Sequence, residues 1–244
     1  MKITDRVYWV GSGCVGLSAR GDCHVYAVRG DNTLALIDSG MAEDPALILR
    51  NMEADGLDVR KLRYVLLTHA HPDHAGGCHA LQKQPGVQIV CSKYESRVLK
   101  EGPVDFYDLE GSAESLRPWR AQPRCEADII VEDGDTIDLG GVRFEVIATP
   151  GHTAGSVCYL CEIGGQRLLF SGDTIFYKGF ISLLSSPPSD LALYRQGIAK
   201  LSDRRVDGLF PGHLMWVLKN GQSYIDIAEK HFYNLQRPEL KPFS

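Results

Sequence analysis

Residues 69–74 read His69-Ala70-His71-Pro72-Asp73-His74, which packs three imidazoles and a carboxylate into one short segment. The whole chain has 8 histidines, so a tract of surface histidines is a poor explanation for this density. Three further stations follow in order: His152 in Thr149-Pro150-Gly151-His152-Thr153, Asp173 in Ser171-Gly172-Asp173-Thr174, and His213 in Pro211-Gly212-His213. Together His69, His71, Asp73, His74, His152, Asp173 and His213 supply nitrogen and oxygen donors for two divalent metal ions, with positions left open for water. Zinc is favoured by this donor set, with iron and manganese as alternatives.

The spacing suits that chemistry. His69 and His71 are two apart and face the same way if the backbone stays extended across them. Pro72 stops the extension, so Asp73 and His74 turn toward a second point nearby. A glycine precedes each remote ligand (Gly151, Gly172, Gly212), where it permits tight backbone geometry close to a metal. Other candidates are weaker. A Ser-Gly-Asp-Thr sequence alone is ordinarily a turn. His24, His79 and His231 are read as core or surface residues with no ligand role. Cys158-Tyr159-Leu160-Cys161 has CxxC spacing, but it lies in an apolar run with no second pair, so it reads as two packed thiols.

The elements that must position these residues form two strand-rich halves. Strands are predicted at 7–10, 23–28 and 33–38, with a hairpin turn at Gly30-Asp31-Asn32. A helix over 45–53 follows, with Asp44 as its N-cap and Pro45 in its first turn. The apolar run 62–67 reads as a buried strand delivering the first ligand cluster, and Gly76-Gly77 opens onto a helix before a strand at 87–91. Residues 93–124 are irregular, helical in pieces, and expected to cover the site, with Phe106, Tyr107 and Trp119 as lid residues. Strands return at 129–131, 136–139, 142–148, 156–161 and 167–170. A helix at 191–201, a strand at 206–210 and a closing helix at 223–235 complete the chain. The pattern suggests two face-to-face sheets with helices outside, and ligands gathered where strand ends of both halves meet.

Composition limits the classes of function. The chain has 244 residues, 44% hydrophobic and 23% charged, and reads as one domain over 1–244. Its net charge of −5 and pI near 5.9, with no basic stretch, argue against a nucleic-acid partner. No apolar run suits a bilayer span and the N-terminal residues lack a signal-peptide core, so no membrane partner and a cytoplasmic location are expected. The 7 cysteines are scattered and odd in number, as expected of reduced thiols.

With Asp38-Ser39-Gly40 and Phe170-Ser171-Gly172-Asp173-Thr174-Ile175-Phe176 added to the stations above, almost the whole chain resembles a metallo-β-lactamase-fold hydrolase, nearest the glyoxalase II-like and lactonase-like branches. The resemblance implies an α/β fold, a four-layer αββα sandwich with a dinuclear metal site at one edge of the sheets. It implies one metal on His69, His71 and His152, a second on Asp73, His74 and His213, and Asp173 bridging. Departures narrow the substrate. Zinc β-lactamases with a cysteine at the position of Asp173 are disfavoured. The basic glutathione-binding residues of glyoxalase II are replaced by Phe180-Ile181-Ser182, and the chain after His213 is short for its helical C-terminal domain. Phe176, with Tyr177 next to it, stands where lactonases place a tyrosine.

The expected activity is hydrolysis of a small ester, lactone or thioester by a metal-activated hydroxide, with Asp73 as a catalytic residue that orients it. Tyr177 and Lys178 are candidate oxyanion stabilisers. The apolar loop Phe180, Ile181, Leu183, Leu184, Pro187-Pro188 is read as an acyl pocket or a homodimer contact. The alternatives are an iron-dependent persulfide dioxygenase, a β-lactam or phosphodiester hydrolase on the same fold, and a binding module without catalysis, which the complete ligand set disfavours.

Overall fold

The computed structural model describes residues 1–107, 109, 116–183 and 189–235. Its strands form two sheets. The first, in the order β1-β2-β3-β4-β5-β6, contains Val7–Gly11, Val25–Arg29, Leu34–Ile37, Leu62–Leu66, Gln88–Ser92 and Ile129–Val131. The second, in the order β11-β10-β9-β8-β7, contains Thr136–Asp138 (β7), Arg143–Ala148 (β8), Val157–Ile163 (β9), Gln166–Gly172 (β10) and Gly208–Pro211 (β11). Strands β3 to β6 run parallel, as do β10 and β11, while the hairpin partners are antiparallel. Strands β3, β4, β8, β10 and β11 all lead into residues of the ligand cluster or its immediate supports.

Strand alternation builds the layers. In β2 and β3, Val25, Ala27, Leu34 and Leu36 face outward onto helices α1 (Pro45–Ala54), α3 (Cys78–Leu81) and α4 (Lys93–Glu101), meeting Ile48, Met52, Leu81, Val98 and Leu99. Their neighbours Tyr26, Val28, Ala35 and Ile37 face inward and meet Phe144, Val146, Tyr159, Phe170 and Phe210 of the second sheet. The second sheet's outer face, with Ile147, Cys158, Leu160, Leu169 and Leu209, packs on Tyr194 and Ile198 of α7 (Leu191–Ala199) and on Ile225, Ala228 and Phe232 of α8 (Gly221–Leu235). Three apolar interfaces thus separate four layers, the αββα sandwich expected from the sequence.

The period-2 rule also accounts for the CxxC segment. Cys158 faces the helices and Cys161 faces the first sheet, so the two thiols lie on opposite sides of β9. All 7 cysteines are free. Among the described residues, no helix is long and apolar enough to cross a membrane.

Several elements differ from expectation for identifiable reasons. Strand β2 starts at Val25 because the preceding backbone turns to the site: Cys23 N–H donates to Asp73 O and His24 N–H to Gly212 O. Asp73 and His74 lie on a one-turn helix, α2 (Pro72–Ala75), with His71 at its N-cap and Pro72 in its first turn. The irregular stretch contains a capped nine-residue helix, α4, and two short ones, α5 (Pro103–Phe106) and α6 (Arg117–Ala121). Leu184 and Pro187-Pro188 lie outside the described residues.

Phe170 sits fully buried between the sheets, stacked on Phe210 at 5.0 Å and edge-on to Tyr26 at 5.6 Å. Phe170→Ala should destabilise the fold by about 3–5 kcal/mol. Ile130→Ala, at a 45% exposed position, should change it by less than about 0.5 kcal/mol. Urea unfolding monitored by tryptophan fluorescence measures both, and equal effects would contradict the layer assignment.

Candidate metal centre

The first ligands are set by a turn in the neighbouring strand. Asp38 follows β3 with φ 61°, a left-handed conformation that asparagine and aspartate tolerate better than most residues. The turn buries its carboxylate against the end of β4, where it accepts hydrogen bonds from Thr68 N–H at 2.8 Å, Thr68 Oγ1 at 2.9 Å and His74 Nδ1 at 2.8 Å. The hydroxyl proton of Thr68 is used on Asp38, so Thr68 Oγ1 acts as acceptor toward His69 Nδ1 at 3.1 Å. One carboxylate thereby orients both His69 and His74: Nε2 of the neutral His69 keeps its lone pair, whereas burial lowers the pKa of His74 but the neighbouring Cys23 and the carboxylates of Asp73, Asp173 and Asp38 outweigh it and raise it well above the ordinary value, so a metal at its Nε2 would displace a proton.

The His69 lone pair converges with others. His152 Nδ1 donates to Ser182 O at 2.7 Å, so its Nε2 is also an acceptor. His69 Nε2 lies 3.0 Å and His152 Nε2 2.9 Å from His71 Nδ1. A single N–H on His71 can serve only one of them. Three imidazole nitrogens crowded around one point are the arrangement a cation satisfies. Burial, reinforced by the neighbouring imidazoles, pushes the pKa of His69 well down, and burial takes His71 down to about 3, so both rings are held neutral as metal ligation requires.

A second focus lies alongside. His74 Nε2 is buried without a hydrogen-bond partner, 3.4 Å from Asp73 Oδ2 and 3.3 Å from Asp173 Oδ1, which is itself buried and unpartnered. His213 Nε2 approaches Asp73 Oδ2 at 2.9 Å and Asp173 Oδ1 at 3.7 Å. The other oxygen of Asp173, Oδ2, is 3.7 Å from His152 Nε2. Asp173 therefore turns one oxygen to each focus. Burial raises its carboxyl pKa, but the facing imidazoles of His74, His213 and His152 outweigh it and hold the group below the ordinary carboxylate range. The sets His69–His71–His152 and Asp73–His74–His213 each gather their donor atoms within 4.8 Å. The buried, unpartnered His74 Nε2 and Asp173 Oδ1 are atoms a cation at the second focus would satisfy, and the crowded nitrogens of His69, His71 and His152 would be satisfied by one at the first, so the residues fit a dinuclear metal group.

Two glycines are required for the convergence. Gly172 has φ 48°, and a Cβ there would meet Thr68 Oγ1 at 2.4 Å. Gly151 has φ 146°, and a Cβ there would strike Tyr194 at 2.2 Å. Tyr194 in turn donates from its hydroxyl to Asp173 O at 2.6 Å.

Comparison with known proteins agrees with this geometry. The sequence profile of the metallo-beta-lactamase superfamily matches residues 19–213. The chain belongs to this superfamily. It is 28% identical over 190 residues to a hydroxyacylglutathione hydrolase of Albidiferax ferrireducens, covering 78% of this chain and 62% of that protein. To the hydroxyacylglutathione hydrolase of Hahella chejuensis it is 30% identical over 186 residues, covering 76% of this chain and 58% of the relative. The chain thus spans about three-fifths of the length of these curated relatives. A solved metallo-beta-lactamase from Cronobacter sakazakii superposes with a TM-score of 0.75 at 22% identity, covering 97% of this chain and 93% of the other.

Within this superfamily member, the structure brings together all seven metal-ligand candidates from the sequence. It does not bring Tyr177 or Lys178 to them. Tyr177 is turned onto Tyr224 of α8, with ring centroids 5.0 Å apart, and the exposed Lys178 lies over the Tyr177 ring at 5.6 Å. Phe176 faces His213 instead, at 6.4 Å. Trp119 on α6 covers His71 edge-on at 4.9 Å, and Tyr107 and Phe106 continue outward from it.

Glu95 is a site residue that its sequence context does not mark as one. It is buried on α4 and accepts from Ala70 N–H at 2.9 Å and Thr153 Oγ1 at 2.6 Å, joining the loop of His69 and His71 to the loop of His152. The available signal was Ser92-Lys93-Tyr94-Glu95, a serine followed three residues later by a glutamate, which marks a helix start. Ser92 does cap α4, while the Glu95 side chain serves the site instead.

Burial pushes the Glu95 carboxyl up to about 7, against the opposing effect of its hydrogen bonds. A carboxyl raised above its unfolded value keeps its proton longer in the folded state. Stability is then greatest below the unfolded pKa and falls as pH rises from about 4.5 to about 7. In the metal-free protein, the stability of wild type relative to Glu95→Gln should fall by up to about 3 kcal/mol between pH 5 and pH 8. Chemical denaturation of both proteins at each pH measures this, and a pH-independent difference would refute it. Tyr177→Phe and Lys178→Ala should leave turnover near wild type, because neither side chain faces the donor cluster. A large loss of kcat in either variant would overturn that placement.

Proposed function

We propose that this chain is a metal-dependent hydrolase of small esters, lactones or thioesters. His69, His71 and His152 would hold one divalent ion, Asp73, His74 and His213 a second, and Asp173 would be shared. The reading is carried by Asp173, whose two carboxylate oxygens face the two donor clusters separately. The curated relatives are named for hydroxyacylglutathione, a thioester, which favours a thioester among the acyl substrates. Zinc is the proposed metal on the strength of the imidazole-rich donor set.

Bound there, a pair of divalent ions supplies Lewis acidity for a carbonyl and lowers the pKa of water toward neutrality. The protein's own residues do the rest. Asp73, with 29% of its side chain exposed, would accept a hydrogen bond from the attacking water and orient it. Trp119 shields the His71 side of the centre from solvent. Exposed apolar residues stand next to donor-cluster residues in the chain. Phe180 and Leu183 flank Ser182, the partner of His152, and Leu214 and Met215 follow His213 directly. Such residues suit the apolar part of an acyl substrate better than a phosphodiester backbone.

Chelation should abolish hydrolysis of acyl thioesters, and zinc or manganese should restore it. Asp173→Ala should lower both metal content and turnover, the latter by more than about 100-fold, since even the outer partners of metal ligands contribute 10–100-fold. Metal analysis with a hydrolysis assay decides the matter: an Asp173→Ala protein with full activity and two bound ions would end this assignment.

A further inference from the structure

The four imidazoles His69, His71, His74 and His152 are at most 5% exposed, but the side chain of His213 is 37% exposed. His69, His74 and His152 are each oriented by a partner on Nδ1, namely Thr68, Asp38 and Ser182 O. Among the described residues, none hydrogen-bonds His213 Nδ1. Its Nε2 meets Asp73 Oδ2 at 2.9 Å within the cluster, but no Nδ1 partner fixes the ring from behind, so its orientation depends on its backbone more than that of the other four.

That backbone is held by His24. The His24 N–H donates to Gly212 O at 2.6 Å, immediately before His213. Its Nε2 lies 2.6 Å from Leu214 O, immediately after His213. A carbonyl can only accept, so Nε2 carries the proton. Burial keeps the ring neutral, with its pKa pushed down to about 4, and Nδ1 is then the acceptor for Ser12 Oγ at 3.0 Å. The ring is 1% exposed and braced edge-on by Trp9 at 4.9 Å. Leu214 itself has φ 64°, strained for a residue with a branched side chain, and is 59% exposed, so its own packing does little to hold that conformation.

From this geometry we infer that His24 is a positioning residue that clamps the carbonyls on either side of His213 and thereby sets the second metal position. The inference rests on the two-metal reading above. His24 does not touch the donor cluster's centre. It acts through the loop, so its loss should affect one metal position and spare the other, which is built from His69, His71 and His152 on separate elements.

The test compares wild type, His24→Ala and His24→Gln by equilibrium dialysis against zinc with metal analysis, alongside thioester hydrolysis. The glutamine amide can still donate to Leu214 O. Wild type should bind two equivalents. His24→Ala should weaken one equivalent by about 10–100-fold and leave the other unchanged. His24→Gln should recover most of the lost affinity and turnover. Unchanged affinity for both equivalents in His24→Ala, or equal weakening of both, would overturn the clamp, the latter because it signals general damage to the fold. A wild-type chain that takes up only one equivalent would overturn the two-metal reading and this inference with it.

Discussion

The centre depends on the buried carboxylate of Asp38. An ionised carboxylate without water is tolerable only if its lone pairs are met by donors, and removing one partner of such a group is strongly destabilising. Asp38 meets three donors from two positions, Thr68 and His74. This arrangement fixes the end of β3 against the end of β4. It also directs the proton on His74 and, through the Thr68 hydroxyl, the proton on His69. The inward direction of Nε2 in one histidine of each cluster therefore follows from a single side chain in a left-handed turn.

The rest of the architecture keeps the donors together. The nitrogens of His69, His71 and His152 crowd one another with a single N–H between them, while the imidazoles of His74 and His213 face the carboxylates of Asp73 and Asp173. Hydrogen bonds between the layers hold this arrangement. Tyr159 donates to Leu67 O at 2.9 Å and Val157 N–H to Thr68 O at 2.9 Å, tying the two sheets together at the ligand end. Glu95 adds a second tie between the loops of His69–His71 and His152. Both ties are buried, where hydrogen bonds to charged or backbone groups are hardest to replace.

Much of the fold was legible because it depends on local rules. Strand alternation places Val25 and Ala27 on one face of β2 and Tyr26 and Val28 on the other, and Asp44-Pro45 starts α1 as capping chemistry requires. Legibility failed where tertiary contacts redirect the chain. Cys23 and His24 have strand-like side chains, yet their N–H groups bond to ligand-loop carbonyls, so the strand begins later. Between Lys93 and Arg124, Gly102-Pro103 and Pro118 interrupt any long helical period, so nothing local shows that Trp119 of α6 packs on His71 or that Glu95 of α4 holds the Ala70 N–H. Tyr177 is near Asp173 in sequence, but beside the turn at Lys178, with φ 63°, its ring packs on Tyr224 of α8.

The sequence alone determined which residues could bind metal, because histidines and aspartates at close, glycine-punctuated spacing are chemically distinctive before any folding. It also determined the layered architecture, because short apolar runs separated by turn residues and helical stretches mark strands buried between layers. Only the tertiary structure decided which nitrogen of each histidine points inward, that Asp173 faces both clusters, and that Asp38, Glu95 and His24 hold the ligand loops. Those outcomes depend on hydrogen bonds between residues tens to nearly two hundred positions apart, and no local pattern in a chain encodes such pairings.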